Sequence, residues 1–345
     1  MPVCRGLLFG ALLLTLASCR TGAAGPPLPA SPPSQLCRDP KMGERSFCMP
    51  ARRINELLVR APFRLLNLRG TYGGTTGAQQ MRISFADQGG RRLILMAKWK
   101  RAPSGLDGAN NNPRRELAAY VLQTLLWRAE DDWVVPPTVM RCVPTDALRR
   151  FDTDASPNVD GLSCVFGVMS YWLRGATHDG VWNERRFASD TRYRHHMADL
   201  NLFTYLIEHR DSRTANFMIA KDPAHPRVFA IDNGLAFGSF LKNPMAFFST
   251  DWSKIFVPQL SRASVERLRQ LTPQMLRAAL RVVAEFVVEG GVARAVPPTA
   301  PRGRGGVTID KQRVQLGLTD AEIDKLAARV RDVLAKVDGK QIKVF

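Results

Sequence analysis

Residues 209–233 read HRDSRTANFMIAKDPAHPRVFAIDN, and their acidic and amide residues are spaced as in a phosphoryl-transfer centre. Asp211 and Asn216 fit the pattern D-x4-N, and Asp232 follows the apolar run Val228-Phe229-Ala230-Ile231. In such a centre one carboxylate receives the acceptor's proton, while an amide and a second carboxylate hold divalent cations. The stretch therefore predicts Asp211 as the catalytic base and Asn216 and Asp232 as metal ligands.

Length and composition are those of a globular chain large enough for two lobes around one cleft. The chain has 345 residues, of which 45% are hydrophobic, so a sizeable core is available. Its net charge of +18 favours anionic partners such as acidic proteins, phospholipid headgroups or nucleotides. A GC-rich genome, which enriches arginine, explains much of this charge equally well. Nucleic acid is not an expected partner, because no RNA-recognition, zinc-finger or leucine-zipper pattern is present.

The N-terminus predicts export. The apolar run Leu7 to Leu16 is too short for a stable membrane span but is typical of a signal-peptide core. It ends in Leu16-Ala17-Ser18-Cys19, which resembles a bacterial lipobox and predicts residues 1–18 as signal peptide and Cys19 as the lipidated residue. Cleavage of an ordinary signal peptide after Ala24 is the alternative. The expected location is the periplasm or cell surface, with the protein anchored to the membrane by lipid.

Residues 19–50 are predicted to form a tether that carries two cysteines, Cys37 and Cys48. Residues 20–35 are rich in Pro, Gly, Ser and Ala, the composition of a flexible linker. With Cys142 and Cys164, four cysteines remain in an exported chain, which predicts two disulfides. Pairing of Cys37 with Cys48 and of Cys142 with Cys164 is the simplest of three connectivities.

The order of elements predicts an α+β fold in two parts, 51–174 and 175–345. The first part is expected to hold an antiparallel sheet with one key helix, and the second to be mainly α-helical. The strands predicted in the first part are Arg91–Trp99, Val134–Val143 and Ser163–Leu173, with a helix from Pro113 onward. The helices predicted in the second part are His195–Glu208, Leu271–Glu289, and one from the capping box Thr319–Glu322 to Asp338.

Two lysines at the end of the strand Arg91–Trp99 and a glutamate in the helix that follows complete the predicted nucleotide site. Lys98 ends an apolar strand, from which its ammonium can reach the α- and β-phosphates; Lys100 faces the same way and is its rival. Glu116 lies near the start of the predicted helix, where it pairs with the lysine, reaches the metal, or is only a first-turn acid. Arg213 is expected to pair with a carboxylate or a phosphate, or to form a structural ion pair.

A glycine- and threonine-rich segment is the candidate phosphate-covering turn, although a plain β-turn explains it equally well. The residues expected to contact the nucleotide are Gly70, Thr71, Gly73, Gly74 and Thr75, with Thr76 and Gly77 beside them. Trp172 is read either as a wall of the adenine pocket or as core. His195 and His196 are taken as structural, and Asp222 and Asp251 as turn and cap residues.

Three motifs resemble the secretory-pathway kinases of the Golgi casein kinase (family with sequence similarity 20) and four-jointed type. They are Glu116-Leu117-Ala118-Ala119 for E-x-A-A, Val135-Pro136-Pro137 for V-P-P, and Asp232-Asn233-Gly234 in place of D-F-G. The spacing of Asp211 and Asn216 also resembles the D-R-H-x-x-N loop of phosphatidylinositol 3-/4-kinases and HipA-like kinases. The resemblance covers roughly residues 68–240.

The sequence departs from these motifs at two points, so it resembles the atypical kinase superfamily as a whole and not one subfamily. The casein kinase group lacks an asparagine at the position of Asn216, and the D-R-H triplet reads Asp211-Ser212-Arg213 here. The resemblance implies a bilobal protein-kinase-like fold, ATP as the phosphoryl donor, and Mg²⁺ or Mn²⁺ as cofactor. It also implies that Glu116 contacts both the metal and Lys98.

The expected function is that of an exported atypical kinase, which transfers the γ-phosphoryl group of ATP to a hydroxyl on protein Ser or Thr, a glycan or a lipid. The alternative is a surface-anchored pseudokinase that acts as a nucleotide-binding or scaffold module. The full set of base, metal ligands and lysine argues against the alternative. The scarcity of ATP outside the bacterial cytoplasm argues for it.

Overall fold

The computed structural model of the protein describes residues 46–71, 77–86, 92–109, 111–238 and 250–345. All of them belong to one compact unit, Gln35–Phe345. Outside the described residues lie the predicted signal peptide, the lipidation candidate, the first tether cysteine and three residues of the predicted phosphate-covering turn: Cys19, Cys37, Gly73, Gly74 and Thr75. No helix within the described part is long and apolar enough to span a bilayer.

The first half of the described chain is built on a five-stranded antiparallel sheet. Its elements are α1 (Ala51–Arg60), β1 (Phe63–Gly70), β2 (Gln79–Ala86), β3 (Arg92–Arg101), α2 (Pro113–Leu126), β4 (Thr138–Pro144), α3 (Thr145–Arg149) and β5 (Cys164–Tyr171). The strand order is β1-β2-β3-β5-β4, and every neighbouring pair is antiparallel. The predicted α+β class, the antiparallel sheet and the helix from Pro113 are confirmed.

Strand β4 starts later than predicted, at Thr138 rather than Val134. Pro136 and Pro137 have no backbone N–H with which to pair in a sheet. The amides of Val134 and Val135 are bound instead by the Gln123 side chain, whose Oε1 accepts both at 2.9 and 2.7 Å. Helix α2 therefore fastens this segment directly.

The alternation of side chains along β3 places two lysines on the same face of the sheet. Leu95, Ala97 and Trp99 are buried in the core beneath one face. Lys98 and Lys100 are out of phase with them and face the other side. Lys98 lies opposite Gln80 of β2 and Ser170 of β5.

The second half of the chain mixes helices with three small sheets. Its elements are β6 (Ala176–Thr177), α4 (Glu184–Ser189), α5 (Thr191–Leu206), β7 (Phe217–Ala220), β8 (Val228–Ala230), β9 (Gln259–Leu260), α6 (Arg262–Gln270), α7 (Pro273–Leu280), β10 (Ala284–Glu289), β11 (Val292–Val296), β12 (Val307–Ile309), β13 (Arg313–Leu316), α8 (Asp320–Asp338) and β14 (Lys343–Val344). Helix α5 is the predicted helix before the HRD stretch, and most of its length is buried. Strands β7 and β8 follow α5 and form a sheet with β6, which precedes it, and β8 ends two residues before Asp232.

The predicted helix Leu271–Glu289 is wrong in its second half. Helix α7 ends at Leu280, and Ala284–Glu289 is β10, which pairs with β11 and β13. Gly290 and Gly291 have φ of 56° and 76°, so they form the hairpin turn that was read as a helix end. The second half therefore contains a four-stranded sheet, β11-β10-β13-β12, and is less helical than predicted.

Two smaller predictions are confirmed. The side chain of Thr319 accepts the amide of Glu322, and Glu322 Oε2 accepts the amide of Thr319 at 2.9 Å, which is the predicted capping box of α8. Cys142 and Cys164 form a disulfide with a Cα–Cα distance of 5.3 Å. Cys48 is also disulfide-bonded, and its predicted pairing with Cys37 involves a residue outside the described part.

A buried carboxyl group in the helical core links three elements. Ser264 of α6 donates its hydroxyl to Asp199 Oδ1 of α5 at 2.5 Å, and Trp127 Nε1 donates to Ser264 Oγ at 3.1 Å. Burial raises the pKa of Asp199 to about 7, which the hydrogen bond from Ser264 only partly offsets. The folded protein therefore holds a proton that the unfolded chain releases at a much lower pH.

Because the pKa of Asp199 is raised, the free energy of unfolding should fall as pH rises from about 4 to about 7. Asp199 alone should lower it by up to about 1.4 kcal/mol per pH unit. Asp199→Asn keeps an acceptor for Ser264 and cannot ionise, so its free energy of unfolding should depend less on pH over that range. Urea unfolding of both proteins at a series of pH values measures the difference. Equal pH slopes for the two proteins would contradict the assignment.

Candidate functional site

A cleft lies beside the lysine-bearing face of the large sheet and encloses about 590 Å³, part of it open to solvent. Most of its wall is apolar, formed by Val135, Pro136, Trp172, Leu173, Met218 and Ile231. Its charged lining residues are Lys98, Glu116 and Asp232. An apolar cleft with a few convergent polar groups is the usual form of a small-molecule site.

The charged residues of the cleft form one ion cluster around Asp232. Lys98 Nζ lies 3.3 Å from Asp232 Oδ2, and Lys100 Nζ lies 3.1 Å from Asp232 Oδ1. Lys100 Nζ is also 4.0 Å from Glu116 Oε1. The side chain of Lys98 is 18% exposed and lines the cleft, whereas that of Lys100 is 2% exposed and lies behind it. Both lysines considered in the sequence are thus part of the cluster, but of the two Lys98 is the one that lines the cleft.

The cluster sets the charge that a ligand meets. Burial alone would raise the pKa of Asp232, but Lys98 and then Lys100 hold it well below its usual range. Burial and the charge of Asp232 raise the pKa of Glu116 to about 7. Although burial opposes it, Asp232 and Glu116 raise the pKa of Lys98. Near neutral pH, two ammonium groups therefore face one ionised carboxylate and one that titrates, which leaves positive charge for an anionic ligand.

Asp232 is held in a backbone conformation that few residues adopt. Its φ of 62° and ψ of 60° are left-handed, and such strain is characteristic of functional positions. The next amide, that of Asn233, donates to Glu116 Oε2 at 3.0 Å in a buried position. The turn after β8 is thereby fixed to α2, and the Asp232 carboxylate is directed at the lysines.

The HRD stretch is ordered around its own hydrogen bonds. Arg213 holds both oxygens of Asp211, with Nε–Oδ1 at 2.7 Å and Nη2–Oδ2 at 2.6 Å, which is the expected carboxylate pairing. Asn216 Nδ2 donates to the Asp211 carbonyl at 3.0 Å, and the Asn216 carbonyl accepts the Ile231 amide at 2.8 Å. This ties the loop to the segment that leads into Asp232. Asp232 lines the cleft, whereas Asp211 and Asn216 do not.

The predicted metal ligands fit a hard divalent cation in donor chemistry. Asp232, Glu116 and the Asn216 side-chain carbonyl are oxygen donors, as Mg²⁺ and Mn²⁺ prefer, and a carboxylate oxygen that meets a lysine keeps a further lone pair. The amide nitrogen of Asn216 is committed to Asp211, so its oxygen is the end available to a ligand. No group of three or more His, Cys, Asp and Glu side chains gathers into a metal site within the described residues.

The described part of the predicted phosphate-covering turn is a closed hairpin. Thr71 donates both its amide and its hydroxyl to the Ala78 carbonyl, at 3.2 and 2.9 Å. Gly77 has a φ of 68°, which favours glycine at the return of this turn. Gly70 is the last residue of β1. Contact of this turn with a nucleotide stays a prediction.

His178 belongs to the cleft and was missed from the sequence. Its Nδ1 lies 2.9 Å from the Phe217 carbonyl, which can only accept, so Nδ1 carries a proton; in the neutral tautomer with that proton, Nε2 is an acceptor. The residue lies in the connection between β6 and α4, and no spacing or motif marks it. Only the fold brings it beside Met218 at the cleft.

The other residues considered in the sequence have structural surroundings that agree with the expectations. Trp172 lines the cleft. His195 packs edge-to-face against Phe345, and burial lowers the pKa of His196 to about 4, as suits structural histidines. Asp222 and Asp251 accept the amides of Ala224 and Ser253, as turn and cap residues do.

Comparison with known proteins finds no protein-family model and no curated protein that matches the chain.

The two lysines should differ in their contribution to stability. Lys100→Met removes a 2% exposed cation from between two carboxylates and is expected to lower the free energy of unfolding by about 3 kcal/mol. Lys98→Met, which removes the partly exposed cation, should cost clearly less. Urea unfolding at neutral pH compares the variants. A larger loss for Lys98→Met would contradict the assignment of Lys100 as the inner cation.

Proposed function

We propose that this protein is an exported atypical kinase with a bilobal protein-kinase-like fold, which transfers the γ-phosphoryl group of ATP to a hydroxyl acceptor. The observation that carries the proposal is the cluster of Lys98, Lys100, Glu116 and Asp232 at the wall of an apolar cleft. The strand pattern of the sequence predicts Lys98, with Lys100 as its rival, as the phosphate-binding lysine, and the resemblance implies that Asp232 and Glu116 contact the metal. Phosphoryl transfer depends mainly on such positioning and charge neutralisation.

The apolar wall of the cleft suits a nucleobase. Trp172 and Leu173 come from the segment that follows β5, and Met218 and Ile231 come from the segments that follow the HRD loop. A flat heterocycle inserted between these two sets of side chains would place its ribose and phosphates toward the charged residues. Lys98 is the group that anchors the phosphates, because its side chain is the cluster cation that reaches the cleft.

Asp232, Asn216 and Glu116 are the residues that would hold Mg²⁺ or Mn²⁺. A bound divalent cation neutralises the charge of the β- and γ-phosphates. Lys100 keeps the Asp232 carboxylate ionised and oriented from behind. The hydrogen bond from Asn233 to Glu116 keeps the two carboxylates near each other.

Asp211 is the proposed base for the acceptor hydroxyl. Its pairing with Arg213 fixes the orientation of the carboxylate, and each oxygen keeps a lone pair for the acceptor. The net charge of +18 favours an acidic acceptor, such as an acidic protein, a phosphorylated glycan or a phospholipid headgroup.

The second candidate is a pseudokinase that binds nucleotide without transferring phosphate. The observation that favours it is the two-point pairing of Asp211 with Arg213, because each oxygen of the base is already engaged in a hydrogen bond with a cation. Transfer under saturating nucleotide separates the two functions.

Export and lipid anchoring complete the proposal. The Cys142–Cys164 disulfide is compatible with an oxidising compartment, and the apolar run with its lipobox-like end supports a periplasmic or cell-surface location. The proposal therefore requires a source of ATP outside the cytoplasm.

Asp211→Asn should lower the rate of phosphoryl transfer by about 100-fold or more while the affinity for ATP stays unchanged, because the base acts only in the transfer step. Labelled ATP with Mg²⁺ or Mn²⁺ and a panel of acidic proteins, glycans and phosphoinositides measures transfer, and calorimetry measures binding. A wild-type protein that binds ATP but transfers nothing to any acceptor, itself included, is a pseudokinase.

His178 should recognise the ribose of the nucleotide. His178 lines the cleft, and the Nε2 of its neutral Nδ1–H tautomer would accept a hydrogen bond from a ribose hydroxyl; such a bond is worth about 1 kcal/mol, or roughly fivefold in affinity. Wild type should therefore prefer ATP to deoxy analogues, and His178→Leu should lose that preference. His178→Gln, which retains an acceptor, is the control. Equal preference in wild type and His178→Leu would refute this role.

A further inference from the structure

Helix α2, which carries Glu116, is fastened at both ends to helices that lie far away in the sequence. At its C-terminal end, Arg267 Nε of α6 donates to the Leu125 carbonyl at 2.9 Å, and the Trp127 indole donates to Ser264 of the same helix. At its N-terminal end, the contact is with α8 and is ionic. These attachments leave α2 little freedom to rotate or shift.

The ionic contact centres on one buried carboxylate, Glu322. Arg115 reaches Glu322 Oε1 with Nε at 3.0 Å and Nη2 at 2.8 Å, and Arg114 Nη1 donates to Oε2. Arg114 also pairs with Asp107, at 3.3 Å from its Nε. The side chain of Glu322 is 10% exposed, and those of Arg114 and Arg115 are 7% and 12% exposed, so the pairs are shielded from solvent.

The same carboxylate is also part of the capping box of α8. Glu322 Oε2 accepts the Thr319 amide at 2.9 Å, so the side chain cannot move without uncapping the helix. The position of Glu322 is therefore set by α8, and the position of the first turn of α2 is set by Glu322. This connection is rigid, because three residues, Arg114, Arg115 and Thr319, donate to one carboxylate.

Glu116 follows Arg115 directly and transmits this position to the site. Its Oε2 accepts the Asn233 amide at 3.0 Å, and its other oxygen lies 4.0 Å from Lys100 Nζ. A shift of the first turn of α2 would break the bond to Asn233 and move Glu116 away from Asp232.

We propose that Glu322 is a positioning residue for the candidate active site: through Arg114 and Arg115 it holds Glu116 against the Asp232–Asn233 turn, so that the site stays assembled without a ligand or a modification. The inference deepens the proposed kinase function, on which its catalytic consequence rests. The mechanical part, the coupling of Glu322 to the Asn233 amide, does not depend on that function.

The test compares two acids in the first turn of α8. Glu322→Gln removes the charge from the contact with α2, while glutamine still serves in a capping box. Asp320→Asn is the matched control, because Asp320 pairs with Arg281 at 2.6 Å on both oxygens and contributes the same helix-dipole charge. Arg115→Gln breaks the contact from the α2 side and leaves α8 intact. Hydrogen exchange of the full-length chain, resolved to the Asn233 amide, is the readout.

Glu322→Gln and Arg115→Gln should each speed exchange at Asn233 by about tenfold, as expected for loss of a charge-assisted contact, with Asp320→Asn close to wild type. ATP affinity should fall in the same two variants and not in the control. Unchanged exchange at Asn233 in both variants, or an equal increase in Asp320→Asn, would overturn the inference. Absence of ATP binding by the wild type would refute the proposed function and leave the exchange result to decide this one.

Discussion

The candidate site depends on the contact of one carboxylate, that of Asp232, with two lysines of a single strand. A buried carboxylate without a partner would take up a proton, and two buried ammonium groups without an anion would repel each other. Together they are stable, and they leave a balance of positive charge at the wall of the cleft. The strained backbone at Asp232 is sustained by this cluster and by the Asn233–Glu116 hydrogen bond.

The rest of the fold can be understood as what brings these groups together. The period-two alternation of β3 sends Lys98 and Lys100 to one face, because the odd-numbered residues are needed in the core. Helix α2 supplies Glu116, and α6 and α8 hold that helix at its two ends. The sheet β6-β7-β8 and the residues that flank it bring His178, Met218 and Ile231 to the lining of the cleft.

Much of this arrangement could be predicted from the sequence where the signal is local. The helix from Pro113, the capping box at Thr319 and the disulfide of Cys142 with Cys164 follow from caps, periodicity and cysteine counting. The chosen residues Lys98, Glu116 and Asp232 lie together as the motif order suggested. The segment 284–289 was misread because an apolar run that ends in two glycines fits both a helix end and a hairpin. His178 and Glu322 could not be assigned site roles, because these depend on contacts with residues distant in sequence.

The proposed binding of ATP and a divalent cation through Asp232 can be tested by calorimetric titration of the full-length protein with ATP, with and without Mn²⁺. We expect saturable binding that Mn²⁺ strengthens, and loss of the Mn²⁺ effect in Asp232→Asn. No ATP binding by the wild type, or the same Mn²⁺-strengthened binding in Asp232→Asn, would contradict it.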